Sequence, residues 1–262
     1  MTDRFDALGR GNPAPMGFAT RAPAAAPPSM LLIGTAPAAN VGMYADVKGV
    51  DAILLTGADK LAVDTGPLSA LKGKLWGASV GDIDFEGLGR LQDAGCDFIV
   101  PSAGDPSAAI MRDDDMSRGF EVDTSLSEDL ARALDLMPID FLVLTPPPGI
   151  WPLKLSGLIK LEGTISLIGR HFAIRMEQPP TADQLEIVRD LPVDALLIDL
   201  ASSSADDLKR YRELINAMPP RKPRAGGGDH AVGAVSQTGT MSNSHQHDGN
   251  DDDDDDDDDW DD

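Results

Sequence analysis

The sequence predicts an α/β fold, a closed barrel of eight parallel strands alternating with helices, and two observations carry that prediction. The first is a recurring tripeptide. A Gly or Pro, an apolar residue and an Asp lead into an apolar run four times, in "GVDAILL" (49–55), "GCDFIV" (95–100), "PIDFLVL" (138–144) and "PVDALLIDL" (192–200). The second is its spacing. Asp51, Asp97, Asp140 and Asp194 recur every 43 to 54 residues, about twice the length of a small strand-plus-helix unit. Each period therefore needs one more strand. Apolar runs stand where these are needed, in "MLLIGT" (30–35), "LWGASV" (75–80), "FEVDT" (120–124) and "FAIRM" (172–176).

These runs are short and do not alternate with polar residues, as expected of strands covered on both faces. The stretches between them read as helices with definable starts. Ser125-x-x-Glu128 and Thr181-x-x-Gln184 fit the capping box, in which a hydroxyl and a later side chain satisfy free amides at a helix start. Asp105-Pro106 supplies a cap followed by a proline suited to the first helical position. Leu155, Leu158, Ile159 and Ile165 fall on one face of a helix. So do Leu208, Tyr211, Leu214, Ile215 and Met218 after Ser204. Eight such units make a compact (β/α)8 barrel of the TIM type over residues 30–218, against about 250 residues for a usual member. The repeated Asp then stands where the chain enters each even-numbered strand, on the amino-terminal face, where a carboxylate accepts hydrogen bonds from free amides. That face serves stability, and chemistry belongs to the opposite one.

The flanks differ from the middle. Residues 1–29 form a Pro/Ala-rich leader without an apolar core of signal-peptide length, expected to be irregular or draped over one barrel end. Residues 219–262 have almost nothing to bury and are expected to be a disordered acidic tail. The tail ends in nine consecutive aspartates, Asp251 to Asp259, then Trp260, Asp261 and Asp262. From Met218 onward thirteen aspartates face three basic residues, so about ten of the twenty-two net negative charges lie there and the rest belong to the leader and barrel. Such a surface disfavours a nucleic-acid backbone, whose phosphates require a basic patch. No apolar run approaches the length of a membrane span. The single cysteine, Cys96, has apolar neighbours and no second thiol to pair with, which fits a buried side chain in a reducing cytoplasm. His171 is expected at a helix end, and the other three histidines lie in the tail, so no histidine triad or closed zinc site can be assembled.

A site must then come from polar residues at the carboxyl ends of strands. An ionised group cannot face the apolar seam under the helices, and strand side chains alternate. Arg175 on the seventh strand, Asp199 on the eighth, and Glu121 with Asp123 on the fifth should therefore point into the barrel. Arg175 is expected to pair with Glu121 or Asp123. In a functional reading Arg175 holds a carboxylate or phosphate, while Asp123 or Asp199 moves a proton. Thr145 and the loop "TPPPGIWPLK" (145–154) stand at the same mouth, with Trp151 either walling a ligand or anchoring the loop.

"VDALLIDLASSS" and "GVDAILLTGADK" resemble strand segments of phosphate-binding (β/α)8 barrels such as the inosine monophosphate dehydrogenase and nitronate monooxygenase families. The resemblance implies a phosphate site in the loops after the seventh and eighth strands. Those loops read "MEQPPT" and "LASSS". They are glycine-free, and Ser202, Ser203 and Ser204 at a helix start are the candidate anion ligands. No strand ends in a lysine suited to a Schiff base, and the residues identify no cofactor. Two functions fit. One is a barrel that binds or converts a small anionic metabolite through Asp123, Arg175 and Asp199. The other is a scaffold whose acidic tail recruits a protein partner through Trp260.

Overall fold

The computed structural model describes residues 1–7, 28–101, 107–112, 115–178 and 180–219. The tail, Trp260 and the Asp105-Pro106 cap lie outside these residues. Eight strands pair in sequence order, all parallel, and β8 closes on β1. They are β1 (Leu31–Pro37), β2 (Ala52–Thr56), β3 (Trp76–Val80), β4 (Phe98–Pro101), β5 (Ser117–Asp123), β6 (Phe141–Thr145), β7 (His171–Arg175) and β8 (Ala195–Asp199). All eight expected strands form. β5 starts three residues before its apolar run because Ser117 and Arg118 pair with Phe98 and Ile99 of β4, while their polar side chains bond Thr2 and the Met111 carbonyl.

The repeated aspartates act at the amino-terminal face in one way. The backbone N–H of Asp51 donates to the Leu32 carbonyl at 2.7 Å, while its carboxylate accepts the Leu32 N–H at 2.8 Å. Asp97 holds both groups of Trp76 in the same manner, Asp140 those of Arg118, and Asp194 those of Phe172. Each even strand thus grips the start of the odd strand before it, at a residue whose ladder would otherwise be incomplete. Two of the four approaches pass through Gly49 (φ 93°) and Gly95 (φ 91°), a backbone state that other residues rarely adopt.

Two cores result. Inside the barrel, Leu31, Ile33, Leu54, Phe98, Val143 and Leu197 are among the buried residues. Between sheet and helices lie the alternate strand residues, with Leu161, Leu185, Tyr211 and their neighbours. Glycines at two inward positions make room for rings. A Cβ on Gly77 would strike the Phe98 ring, and one on Gly119 would come within 2.6 Å of Phe141.

Several expectations are corrected. Of the two expectations for the leader, its described first residues fit the draped one and not the irregular one: α1 (Thr2–Ala7) inserts Phe5, 1% exposed, into the amino-terminal end of the barrel against Phe141 and His171. His171 is no helix-end residue but the first of β7, with Nδ1 3.0 Å from Asp194. Not every strand is followed by a full helix. The four-residue α2 (Val41–Tyr44) follows β1, and 3-10 turns at Ala58–Lys60 and Gly66–Leu71 follow β2. Gly and Pro at 57, 66 and 67 suit tight turns and oppose a long helix. α3 (Phe85–Asp93) follows β3, and a 3-10 turn at Ala108–Arg112 follows β4. α4 (Glu128–Leu136) is capped by Ser127, two residues beyond the expected Ser125, whose N–H and hydroxyl bond Asp123 instead.

α5 (Leu155–Ile165) buries Leu161 and Ile165 but leaves Leu155 72% and Ile159 63% exposed, so the four expected positions do not form one buried face. α6 (Ala182–Asp190) has the Thr181/Gln184 box as read. α7 (Ala205–Ala217) is capped by Ser204 with Asp207 and buries Leu208, Tyr211 and Ile215. Cys96 is buried. No helix among the described residues is long and apolar enough to cross a membrane.

Candidate functional site

Strand alternation decides what reaches the mouth. On β5 the interior positions are Gly119, Glu121 and Asp123, because Val122 belongs to the outer core. The same parity sends Thr35, Thr56, Ser79, Thr145, Arg175 and Asp199 inward above the apolar layers, since Ile33, Leu54, Val143, Ala173 and Leu197 line the interior core.

Glu121 is the centre of this group. Its Oε1 accepts the Thr145 hydroxyl at 2.5 Å and the Arg175 Nη2–H at 3.2 Å. The pair bridges β5 and β7 across β6, with Arg175 about one-third and Glu121 about one-fifth exposed. Of the two partners expected for Arg175, Glu121 is the one it meets. The ion pair fixes the guanidinium by one of its five N–H donors, and among the described residues no other hydrogen bond engages it. The remaining donors are available at the mouth.

Asp123 and Asp199 sit higher and more exposed, and each is committed to its own turn. The Asp123 Oδ1 accepts the Ser125 N–H at 2.7 Å and the Ser125 hydroxyl at 2.6 Å. The Ser125 hydroxyl, followed by its backbone amide, holds the Asp123 carboxyl below the ordinary carboxylate range. It is therefore ionised at neutral pH and unsuited to act as a general acid. Asp199 Oδ1 accepts the Ala201 N–H, and its carbonyl accepts the hydroxyls of Ser202 at 3.2 Å and Ser203 at 2.7 Å. The structure thus gathers Arg175, Glu121 and Thr145, and leaves Asp123 and Asp199 at the ends of β5 and β8, each bound to its own turn at the rim.

Trp151 has its ring in the outer core, 6% exposed, and anchors the loop after β6. The same loop is tied to the next one by the Gly149 N–H, which donates to Glu177 at 3.3 Å. Glu177 lies two residues past the end of β7, where strand alternation no longer applies, so the sequence carries no signal for this tie. Glu121 was legible as a partner but not as the hub. The signal was the Glu-x-Asp spacing on β5 facing an Arg two strands away. Among the described residues no group of His, Cys, Asp and Glu is arranged to hold a metal ion.

Fold and mouth together define a closed (β/α)8 barrel whose described inward mouth residues are acidic apart from hydroxyls and Arg175. No family model matches the chain, and no curated protein matches it. Solved structures do. 3-Hexulose-6-phosphate synthase from Salmonella typhimurium aligns at 15% identity and TM-score 0.52, covering 71% of this chain and 98% of that one. KGPDC from Streptococcus mutans aligns at 16% and 0.51, covering 71% and 98%. A mutant tryptophan synthase alpha-subunit from Pyrococcus furiosus aligns at 10% and 0.52, covering 71% and 96%. At these identities the likeness is one of fold.

Proposed function

We propose that the protein binds a small anionic metabolite at the carboxyl-terminal mouth of its barrel, with Arg175 as the anchor. One observation carries this reading: a partly exposed guanidinium on an inward strand position is held by a single bond to Glu121, and among the described residues no other hydrogen bond engages it. A salt bridge serving only to fill the core would be expected to saturate its partners and exclude water. Glu121 and Thr145 orient the guanidinium, and Asp199 borders the bound molecule. Ser202 and Ser203 act through the Asp199 carbonyl they bond, Trp151 through the loop it fixes, and Asp123 through its turn. The neighbours in fold support a metabolite site of this kind, since one is named for a sugar phosphate, and this fold places its sites at that face. The setting in this reading is the cytoplasm.

A thermal-shift screen of residues 1–219 against carboxylates, phosphorylated metabolites, nucleotides and flavins tests it, because a ligand bound only by the folded state raises the melting temperature. The cut follows Pro219 because the buried Arg189 donates to its carbonyl. A shift with an anionic compound is expected, weakened roughly 10- to 100-fold in affinity by Arg175→Met, the range for a hydrogen bond to a charged group. A shift that survives Arg175→Met would place the site elsewhere.

A second reading rests on the nine aspartates and Trp260 of the tail, with the aspartates steering and the ring anchoring a protein partner. Deleting residues 220–262 separates the two: partner capture is lost while ligand affinity at the mouth is kept.

A further inference from the structure

We infer that the ligand at this mouth is an unphosphorylated carboxylic acid whose carbon chain carries hydroxyl or ammonium donors. This rests on the mouth reading above and names its substrate class. The first support is where the hydroxyl protons go. Thr145 donates to Glu121 at 2.5 Å, Thr35 to the Ile198 carbonyl at 3.2 Å, and Thr56 to the Ala36 carbonyl at 3.4 Å. Each of these three hydroxyls has spent its one proton on the protein and offers only lone pairs to a ligand, and of the inward strand hydroxyls named above Ser79 alone keeps a proton to donate. Glu121 keeps its second oxygen, and the carboxylates of Asp123 and Asp199 stand at the rim. Acceptors therefore dominate, and among the described strand residues Arg175 is the one cationic donor that parity sends into the mouth. A molecule complementary to this set carries one acid group for Arg175 and several donors for everything else.

The second support is what fills the places where a phosphate would sit. A phosphate binds at a helix start through free amides and hydroxyl protons. At α7 the N–H and hydroxyl of Ser204 both donate to the Asp207 carboxylate, at 2.9 and 2.7 Å, and the Asp207 N–H returns a bond to the Ser204 oxygen. The Ser204 bonds also keep Asp207 ionised, and Asp206 lies beside it in the first turn. Ser202 and Ser203 have turned their protons to the Asp199 carbonyl. At α6 the Thr181 N–H is taken by Gln184, and Asp183 adds a negative charge. At each start the capping box takes two of the free amides, and acidic side chains of the first turn stand beside the others, so a phosphate dianion meets repulsion and fewer donors. A carboxylate, with one charge and two oxygens, matches the fork of a single guanidinium.

A matched six-carbon series tests this on residues 1–219 by calorimetry and thermal shift: gluconate, 6-aminohexanoate, hexanoate and 6-phosphogluconate. The expected order places gluconate or 6-aminohexanoate first, and which of the two leads tells hydroxyl from ammonium donors. Hexanoate, lacking donors, and 6-phosphogluconate should each bind at least tenfold more weakly, and Arg175→Met should abolish the preference. Tighter binding of 6-phosphogluconate than gluconate, lost in Arg175→Met, would overturn the substrate class and leave the mouth reading standing. Equal binding of hexanoate and gluconate would do the same. No binding of any of the four at 50 mM would count against both. Inorganic phosphate, followed by ³¹P line broadening, gives an independent check. The wild-type protein should ignore it, and D206S/D207G should begin to bind it; broadening in the wild-type protein would overturn the inference.

Discussion

Asp51, Asp97, Asp140 and Asp194 each satisfy two backbone groups of another strand with one residue, and their removal has a calculable consequence. Asp140→Ala strips the carboxylate from the Arg118 amide, which it meets at 2.6 Å. An unpaired, partly buried donor costs about 1–3 kcal/mol, so chemical denaturation should show a loss in that range, with Asp140→Asn recovering most of it. At the same scale, Tyr211 is pushed up to about 12 by burial, with the nearby Asp207 charge adding to it. Its unfolded value lies near about 10. The folded state therefore holds the proton more tightly, and the stability this confers is complete below about pH 10 and is lost as pH rises toward about 12. Urea midpoints measured from pH 9 to 12 should fall more steeply for the wild-type protein than for Tyr211→Phe. The repeat that exposes the four aspartates was legible because identical chemistry recurs at regular intervals. The hub role of Glu121 was less so: its Thr145 partner is 24 positions away and Arg175 is 54, and parity told only which way they point.

At the level of elements, α1 shows how far composition can mislead. A six-residue segment inside a Pro/Ala-rich stretch gave no periodic signal, yet Phe5 fills the bottom of the barrel and stacks on His171 with ring centroids 5.1 Å apart. Phe5→Ala leaves a void beside Phe141 and His171. A loss of about 3–5 kcal/mol is expected, the range for deleting a buried ring, read as a lower denaturation midpoint with the mouth's ligand affinity unchanged. The helix starts divide instructively. Thr181 was readable because its capping partner Gln184 lies three positions on, and Ser204 was placed at a helix start without its Asp207 partner, since Asp is not the Glu or Gln of the usual box. Ser125 was misread because Asp123, two residues upstream, competes for its donors. The exposed Leu155 and Ile159 on α5 could not be assigned outward from spacing alone, since Leu161 and Ile165 satisfy the same helical period from the other side.

For the whole molecule, the eight-strand closure was legible because a doubled period implied the missing strands, and the compactness followed from the short α2 after β1 and from 3-10 turns in place of helices after β2 and β4. The brackets formed by the four aspartates join β1 with β2, β3 with β4, β5 with β6 and β7 with β8. The connections from β2 to β3, β4 to β5 and β6 to β7 carry no such bond. The chain is thus divisible. A polypeptide severed between Pro101 and Ser107 yields two halves that each retain two intact brackets, whereas one severed between Asp123 and Glu128 parts Asp140 from Arg118. Co-expressed, the first pair of fragments should co-purify as a soluble complex with the melting behaviour of one barrel, and the second pair should not. New termini placed at the β2–β3 or β6–β7 connection should be tolerated for the same reason, so the order in which the quarters are synthesised is separable from the shape they build.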